Sequence, residues 1–190
     1  MERKSILLIG GARSGKSSYA EELAWQIGGD VLFVATAEAR DEEMRRRIEI
    51  HKKSRPSHWH TLEAPCRVGR CIADFNDKFD VVVLDCVTLL VNNILCQHME
   101  TQGEDIDEKM VDQDVKSEIS AIIECVQKNQ ATYIMVTNEV GEGIIPLGAS
   151  TRIYRDVLGR ANQMLARAAD EVYLMVAGIP LRIKPRALTG

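Results

Sequence analysis

Between residues 10 and 17 the chain reads Gly10-Gly11-Ala12-Arg13-Ser14-Gly15-Lys16-Ser17, and this octet fits G-x-x-x-x-G-K-[ST] at every position. It limits the possible folds more than any other stretch, because the pattern works only as a loop between a strand and a helix. Its glycines let backbone N–H groups turn inward around a polyphosphate with no side chain in the way. Lys16 supplies a compact positive charge for the outer phosphates and Ser17 a hydroxyl for Mg²⁺. The N-terminus of the following helix favours negative charge. The flanks meet the requirement: residues 5–9 are a short apolar run, and residues 16–27 carry a helical pattern.

Such a site needs a second oxygen ligand for its metal. Asp85 ends the continuously apolar run Val81-Val82-Val83-Leu84, where a metal-holding carboxylate of this kind belongs. The same residue could instead cap a helix beginning near Thr88, and the two roles do not exclude each other.

Strand-length apolar runs alternate with helical patterns along the rest of the chain. Strands are expected at 30–36, 59–62, 80–85, 132–137 and 171–177, with an edge strand at 181–184 after a turn at 178–180. A polar helix is expected over 41–53, and Pro65 is expected to open another, since proline suits a first helical position. Runs without period-2 alternation suit strands covered on both faces, which means parallel pairing. The fold expected is α/β, a P-loop NTPase of the RecA-like kind. It has a mostly parallel central sheet flanked by helices, and residues 1–190 form one catalytic domain. Residues 99–114 are acidic and contain Gly103; a mobile loop ahead of a long helix is expected there, with its charges facing water.

Composition narrows the ligand class. Aromatic residues make up 5% of the chain and the net charge is -4, which argues against a base-stacking surface and a basic stripe for nucleic acid. A small-molecule substrate is expected. The five cysteines are odd in number and form no C-x-x-C pair, as expected of reduced thiols in the cytoplasm. The N-terminal apolar run is too short for a signal peptide and no run reaches transmembrane length, so a soluble, untargeted protein is expected. His58-x-His60 with Cys66 and Cys71 matches no common structural zinc spacing.

Three classes share a cradle of this type. A GTP switch would carry N-K-x-D, and the nearest stretch, Thr137-Asn138-Glu139-Val140, lacks both Lys and Asp. A motor ATPase would bring a basic surface or further domains. A small-molecule kinase or nucleotidyltransferase remains. In the helix expected over 41–53, Met44, Ile48 and His51 fall at i, i+4 and i+7, so the imidazole shares an apolar stripe, with Lys52, Lys53 and Arg55 beside it. That pattern fits a packed core histidine as well as a catalytic one.

The cradle with Ala35-Thr36, Asp41-Glu42-Glu43-Met44, Arg47-Ile48, His51-Lys52, Arg55-Pro56 and His58-Trp59 resembles the bifunctional adenosylcobinamide kinase/adenosylcobinamide-phosphate guanylyltransferase family. So does the block from Val136-Thr137-Asn138-Glu139-Val140-Gly141-Glu142-Gly143 to Ile144-Ile145-Pro146. Arg155-Asp156, Gly159-Arg160-Ala161-Asn162-Gln163, Ala169-Asp170-Glu171-Val172 and Val176-Ala177-Gly178 extend the likeness over nearly the whole chain.

The resemblance implies an enzyme of cobalamin biosynthesis. It would phosphorylate adenosylcobinamide with ATP or GTP, then transfer GMP from GTP to adenosylcobinamide phosphate, giving adenosylcobinamide-GDP and pyrophosphate. His51 matches the histidine that becomes guanylylated, although family members often carry two adjacent histidines where this chain has Ile50-His51. Lys16 would act in both reactions. GTP contacts are implied at Gly10, Gly11, Ala12, Arg13, Ser14, Gly15, Lys16 and Ser17, and at Thr36, Ala37 and Glu38. Others are implied at Lys52, Lys53, Ser54, Arg55, Glu63 and Asp85, the last often Glu in the family. Ser17 and Asp85 would hold Mg²⁺. Glu139 and Glu63 are candidates for the base of the kinase step. The resemblance also implies a homotrimer. The competing readings are a kinase alone, with His51 structural, and a nucleotide-switched binding module.

Overall fold

The computed structural model describes residues 3–75, 78–103 and 105–185; the side chains of residues 47, 51, 53 and 54 are not among those described. The elements run β1 (Ser5–Gly10), α1 (Lys16–Ile27), β2 (Val31–Ala35), α2 (Glu42–Ser54), β3 (His60–Glu63), α3 (Val68–Ala73) and β4 (Val81–Asp85). They continue with α4 (Val87–Gln102), α5 (Glu108–Lys128), β5 (Thr132–Asn138), α6 (Ala149–Ala168), β6 (Glu171–Val176) and β7 (Ile179–Lys184). The strands form one sheet in the order β3-β2-β4-β5-β1-β6-β7, parallel throughout except for the antiparallel β6–β7 pair.

The continuous apolar runs are explained by cover on both faces. Leu7, Leu32, Val34, Leu84, Tyr133 and Met135 project to one side, against α3, α4, α5 and α6. Ile6, Leu8, Phe33, Val83, Ile134 and Val136 project to the other, against Ala20 and Ala24 of α1. Neither face is left to water in the central strands, so selection for polar residues at alternate positions is absent.

Three expectations are corrected. Helix α3 starts at Val68 rather than Pro65. The carboxylate of Glu118 on α5 accepts the N–H groups of Arg67 and Val68 at 3.0 and 2.6 Å, so the cap comes from a distant helix and fixes the start. The last turn is Ala177-Gly178, with φ of 50° and 84°, and Ile179 and Pro180 already belong to β7. A two-residue hairpin with positive φ at both positions matches strand twist, and Pro180 is tolerated because β7 is an edge. Residues 99–102 complete α4, and α5 begins at Glu108, so only 103–107 connect them. Nor do the charges of that segment all face water. Asp112, largely buried, takes Arg160 at 2.6 Å and Lys116 at 2.5 Å, whereas Asp114 stays exposed while it bonds the buried His98 at 2.8 Å.

Strand β1 is registered at its entrance by Asp170, whose Oδ2 accepts from the N–H and the hydroxyl of Ser5 at 2.8 and 2.7 Å. These two bonds hold the Asp170 carboxyl below its ordinary value. Asp170→Ala is expected to cost about 1 kcal/mol at neutral pH, the low end for a charged hydrogen bond because the carboxylate is exposed. Urea unfolding measures it. With the folded pKa below the unfolded value near ~3.9, the difference between the proteins persists above that pH and fades as pH falls through the folded pKa. A difference that grows on acidification would contradict the assignment.

Candidate functional site

The cradle lies where β1 gives way to α1, at the edge to which the parallel strands point their C-terminal ends. Gly10 has no room for a side chain: a Cβ there would stand 2.5 Å from the carbonyl oxygen of Met175 on β6. Gly15 turns the chain into α1 with φ 90°, and Arg13 holds φ 57°, so two of the loop's residues carry left-handed backbone. The loop is braced from outside. Gly178 of the β6–β7 hairpin donates its N–H to the carbonyl of Ser14 at 2.9 Å, and Glu139 donates its N–H to the carbonyl of Gly10 at 3.1 Å.

Lys16 is only 7% exposed. Its amine donates to the carbonyl of Gly11 at 2.6 Å and to Ser14 Oγ at 3.3 Å, so it is folded back into its own loop. Burial lowers its pKa, opposed by Cys86 and Asp85 nearby. Ser17 Oγ donates to Asp85 Oδ1 at 3.3 Å, bringing together the two oxygens expected to hold a metal. Cys86, not Asp85, is the cap residue of α4, and it makes no side-chain cap bond. Burial pushes the Cys86 thiol up to about 11, and Asp85 adds to the effect.

A cleft of about 520 Å³ opens beside the cradle. One wall is Arg13, Ser14, Lys16, Ser17 and Asp85; the facing wall is Met44, Ile48, Lys52 and Arg55 of α2 and its C-terminal cap. Asp41 starts that helix by accepting the N–H of Met44 at 2.7 Å, and Glu42 and Glu43 complement the dipole of its first turn. Two members of the stripe read from the sequence, Met44 and Ile48, therefore line a cleft. Met44 and Ile48 are half-buried rather than part of the core. Position 51 comes three residues after Ile48 and four before Arg55, on the same stretch of helix. Its side chain, like those of Lys53 and Ser54, lies outside the described ones.

Arg55 is the residue whose surroundings are most unusual. Its guanidinium carbon lies 3.7 Å from the centre of the Phe33 ring, and its Nε and Nη1 are buried with no hydrogen-bond partner among the described residues. Burial lowers its pKa, opposed by Asp85, Glu21 and Glu63. A buried cation with open donors is costly, and it fits an anion that completes the set. Lys52 forms an ion pair with Glu63 across the cleft wall.

The remaining expected contacts divide. Ala12, Gly15 and Ala37 line the cleft. Thr36 is fully buried, its hydroxyl donating to the carbonyl of Cys86 at 2.7 Å and accepting from the Cys86 N–H at 2.9 Å. It ties the end of β2 to the β4–α4 junction. Glu38 is engaged by Arg40 at 2.7 Å. His58 packs against Trp25 and His60 against Phe79. Sequence reasoning passed over Leu89, Cys86 and Asn138 as lining residues. It also passed over four buried polar residues, Thr88, Asn93, Thr137 and Asn162, whose position on otherwise apolar helix and strand faces was the available signal.

Comparison with known proteins adds to this geometry. The model of the CobU family, cobinamide kinase / cobinamide phosphate guanyltransferase, matches residues 6–183. A bifunctional adenosylcobalamin biosynthesis protein CobU from Escherichia coli K12 is 43% identical over 181 residues, covering 94% of this chain and 99% of that protein. The bifunctional adenosylcobalamin biosynthesis protein CobP of Pseudomonas aeruginosa PAO1 is 38% identical over 183 residues, covering 96% and 98%. Among solved structures, an ATPase from the type III secretion system of pathogenic bacteria superposes with a TM-score of 0.56 at 10% identity, covering 90% of this chain and 50% of that one. That likeness concerns the fold, which is that of a P-loop NTPase.

Replacing Arg55 by Met keeps an unbranched side chain against Phe33 and removes the buried charge. Without ligand, Arg55→Met is expected to be as stable as the wild type or up to about 2 kcal/mol more stable. The stabilisation that saturating GTP gives the wild type is expected to shrink in the variant. Urea unfolding with and without nucleotide reads both. A variant that is destabilised yet keeps the full nucleotide effect would contradict the reading of Arg55 as an anion ligand.

Proposed function

The chain belongs to the cobinamide kinase / cobinamide phosphate guanyltransferase family, and on that premise we propose that it catalyses both reactions in one cleft. It phosphorylates adenosylcobinamide with ATP or GTP, then transfers GMP from GTP to adenosylcobinamide phosphate. What supports this above all is that the cradle, the Ser17–Asp85 pair and the cleft-facing side of α2 line a single cavity.

In the kinase step the cradle N–H groups and Lys16 hold the β- and γ-phosphates, and Lys16 exchanges its bond to the Gly11 carbonyl for phosphate oxygen. Ser17 and Asp85 offer hard oxygens of the kind Mg²⁺ takes. When bound, the ion neutralises charge on the outer phosphates. The substrate hydroxyl attacks the γ-phosphorus, and the bond to the bridging oxygen breaks with its electron pair left on the β-phosphate. Glu63 and Glu139 are the candidates for receiving the hydroxyl proton. Glu63 lines the cleft, and Glu139 holds the N–H of Gly141 at 2.6 Å.

In the second reaction a ring nitrogen of His51 attacks the α-phosphorus of GTP, and pyrophosphate leaves. A histidine's ordinary pKa near ~6.5 leaves much of it neutral and nucleophilic at pH 7. A phosphate oxygen of adenosylcobinamide phosphate then attacks the same phosphorus, and the P–N bond breaks. Dividing the transfer spares one anion from attacking another directly beside the pyrophosphate. Arg55 and Lys52, with Lys53 and Ser54 on the same helical turn, are the GTP contacts of the α2 wall. Thr36, Ala37 and Glu38 serve the end of β2.

The same reading has residues 1–190 acting as one domain in the cytosol and assembling as a homotrimer. Every described strand joins one sheet, no described helix is long and apolar enough to cross a membrane, and Ile179, Leu181 and Ile183 leave β7 an exposed apolar face.

Incubation with GTP labelled at the α-phosphorus is expected to leave acid-labile, base-stable label on the wild type, removable by pyrophosphate. His51→Ala is expected to take no label while still phosphorylating adenosylcobinamide. Undiminished label in His51→Ala would rule out the histidine as nucleophile, and loss of both reactions would show that it is structural.

A further inference from the structure

Asn138 ends β5, the strand between β4, which carries Asp85, and β1, which feeds the cradle. Its register partner on β1 is Gly10, and Val136, two residues earlier, is the partner of Asp85. Side chains two apart on a strand share a face, so Val136 and Asn138 point to the same side, and both line the cleft. Asn138 stands about 7 Å further along the strand than the level of Asp85, toward the open end where ligands of parallel sheets bind.

Two helices fix the backbone of this one residue. Its N–H donates to Thr88 Oγ1 of α4 at 2.7 Å, and its carbonyl accepts from Asn162 Nδ2 of α6 at 3.0 Å. The Asn162 amide oxygen accepts from the Thr137 hydroxyl at 2.7 Å, and Tyr154 of α6 donates to the carbonyl of Thr88 at 3.2 Å. Thr137 is fully buried, and Thr88 and Asn162 are 6% and 5% exposed. Buried polar side chains are expensive unless paired, and these are paired with one another and with the backbone of Asn138. Its own carboxamide, half-buried in the cleft wall, makes no hydrogen bond among the described residues. The network thus fixes the backbone of a residue whose carboxamide is left without a partner among the described residues.

We infer that Asn138 is a further catalytic residue of phosphoryl transfer, its carboxamide N–H donating to the terminal phosphate of the bound nucleoside triphosphate, and that Asn162 is the positioning residue that aims it. The inference rests on the reading of the cleft as a triphosphate site. As the acceptor oxygen attacks the γ-phosphorus, the bond to the bridging oxygen breaks, its electron pair stays on the diphosphate, and the hydroxyl proton passes to the carboxylate base proposed above, Glu63 or Glu139. Charge is spread over the three equatorial oxygens during that step, and a fixed neutral donor beside them lowers the barrier without reorganising.

Asn138→Ala is expected to lower kcat for adenosylcobinamide phosphorylation by about 10²-fold, the usual loss for one preorganised donor. Its affinity for ADP, which lacks the terminal phosphate, is expected to stay at the wild-type value by calorimetry. Asn138→Asp is expected to be slower still, since it sets a carboxylate against the phosphate. Asn162→Asp keeps an acceptor for Thr137 and loses the donor to Asn138; its kcat is expected to fall with KM for the nucleotide unchanged. A merely structural Asn162 would instead lower the melting temperature and leave kcat per folded molecule intact. Full kcat in Asn138→Ala, or a matching loss of ADP affinity, overturns the inference alone. A wild type that binds neither ADP nor GDP overturns the triphosphate reading with it.

Discussion

A lysine ammonium group buried at the junction of β1 and α1 is the constraint on which this structure turns. Lys16 cannot be left there unsolvated, so the loop wraps its own carbonyl and hydroxyl oxygens around the amine, and Asp85 supplies negative charge across from it. Wrapping requires left-handed backbone at Arg13 and Gly15, and contact between strands so close that Gly10 must lack a side chain. The β6–β7 hairpin and the end of β5 brace the loop from either side. On the proposed function, a polyphosphate would relieve the arrangement by replacing the loop's oxygens around Lys16.

Arg55 extends the same logic to the opposite wall. Two cations whose pKa values are lowered by burial line one cleft, with Asp85 opposing the effect at both and Glu63 at Arg55, and Arg55 keeps buried donors that have no partner among the described residues. Because Arg55 follows directly on α2, the helix that bears His51 is anchored at its end by the Phe33 stack, while its middle leans on the cleft through Met44 and Ile48. On the proposed function, one nucleotide would present its outer phosphates to the β1–α1 loop and its inner phosphate to α2. That division suits an enzyme that cuts the same kind of chain at two places.

Much of this was legible in the residues. The octet at 10–17 announces its own geometry because its glycines, Lys16 and Ser17 each have a separate chemical reason, and the start and end of α1 match the pattern to the residue. Asp85 was legible from the apolar run before it. Less could be read where distant parts decide local structure. Glu118 sets the start of α3 from 50 residues away, and Asp112 looks like surface charge until Arg160 is brought beside it. The stack of Arg55 on Phe33 joins β2 to the far end of α2. The frame around Asn138 joins α4, β5 and α6, and no spacing in the sequence announces either. The stripe at 44, 48 and 51 was legible as a face, but periodicity does not say whether a face meets a core or a cavity.

The central claim is that one phosphate cradle serves both reactions. Lys16→Ala, assayed in parallel for adenosylcobinamide phosphorylation and for guanylylation from α-labelled GTP, tests it most directly. The account predicts that both rates collapse together, each by about 10²-fold or more, along with affinity for nucleoside triphosphate, while the melting temperature of the ligand-free protein is held or raised. Guanylylation that survives at the wild-type rate while phosphorylation is lost would mean that GTP is held for nucleotidyl transfer somewhere other than the cradle.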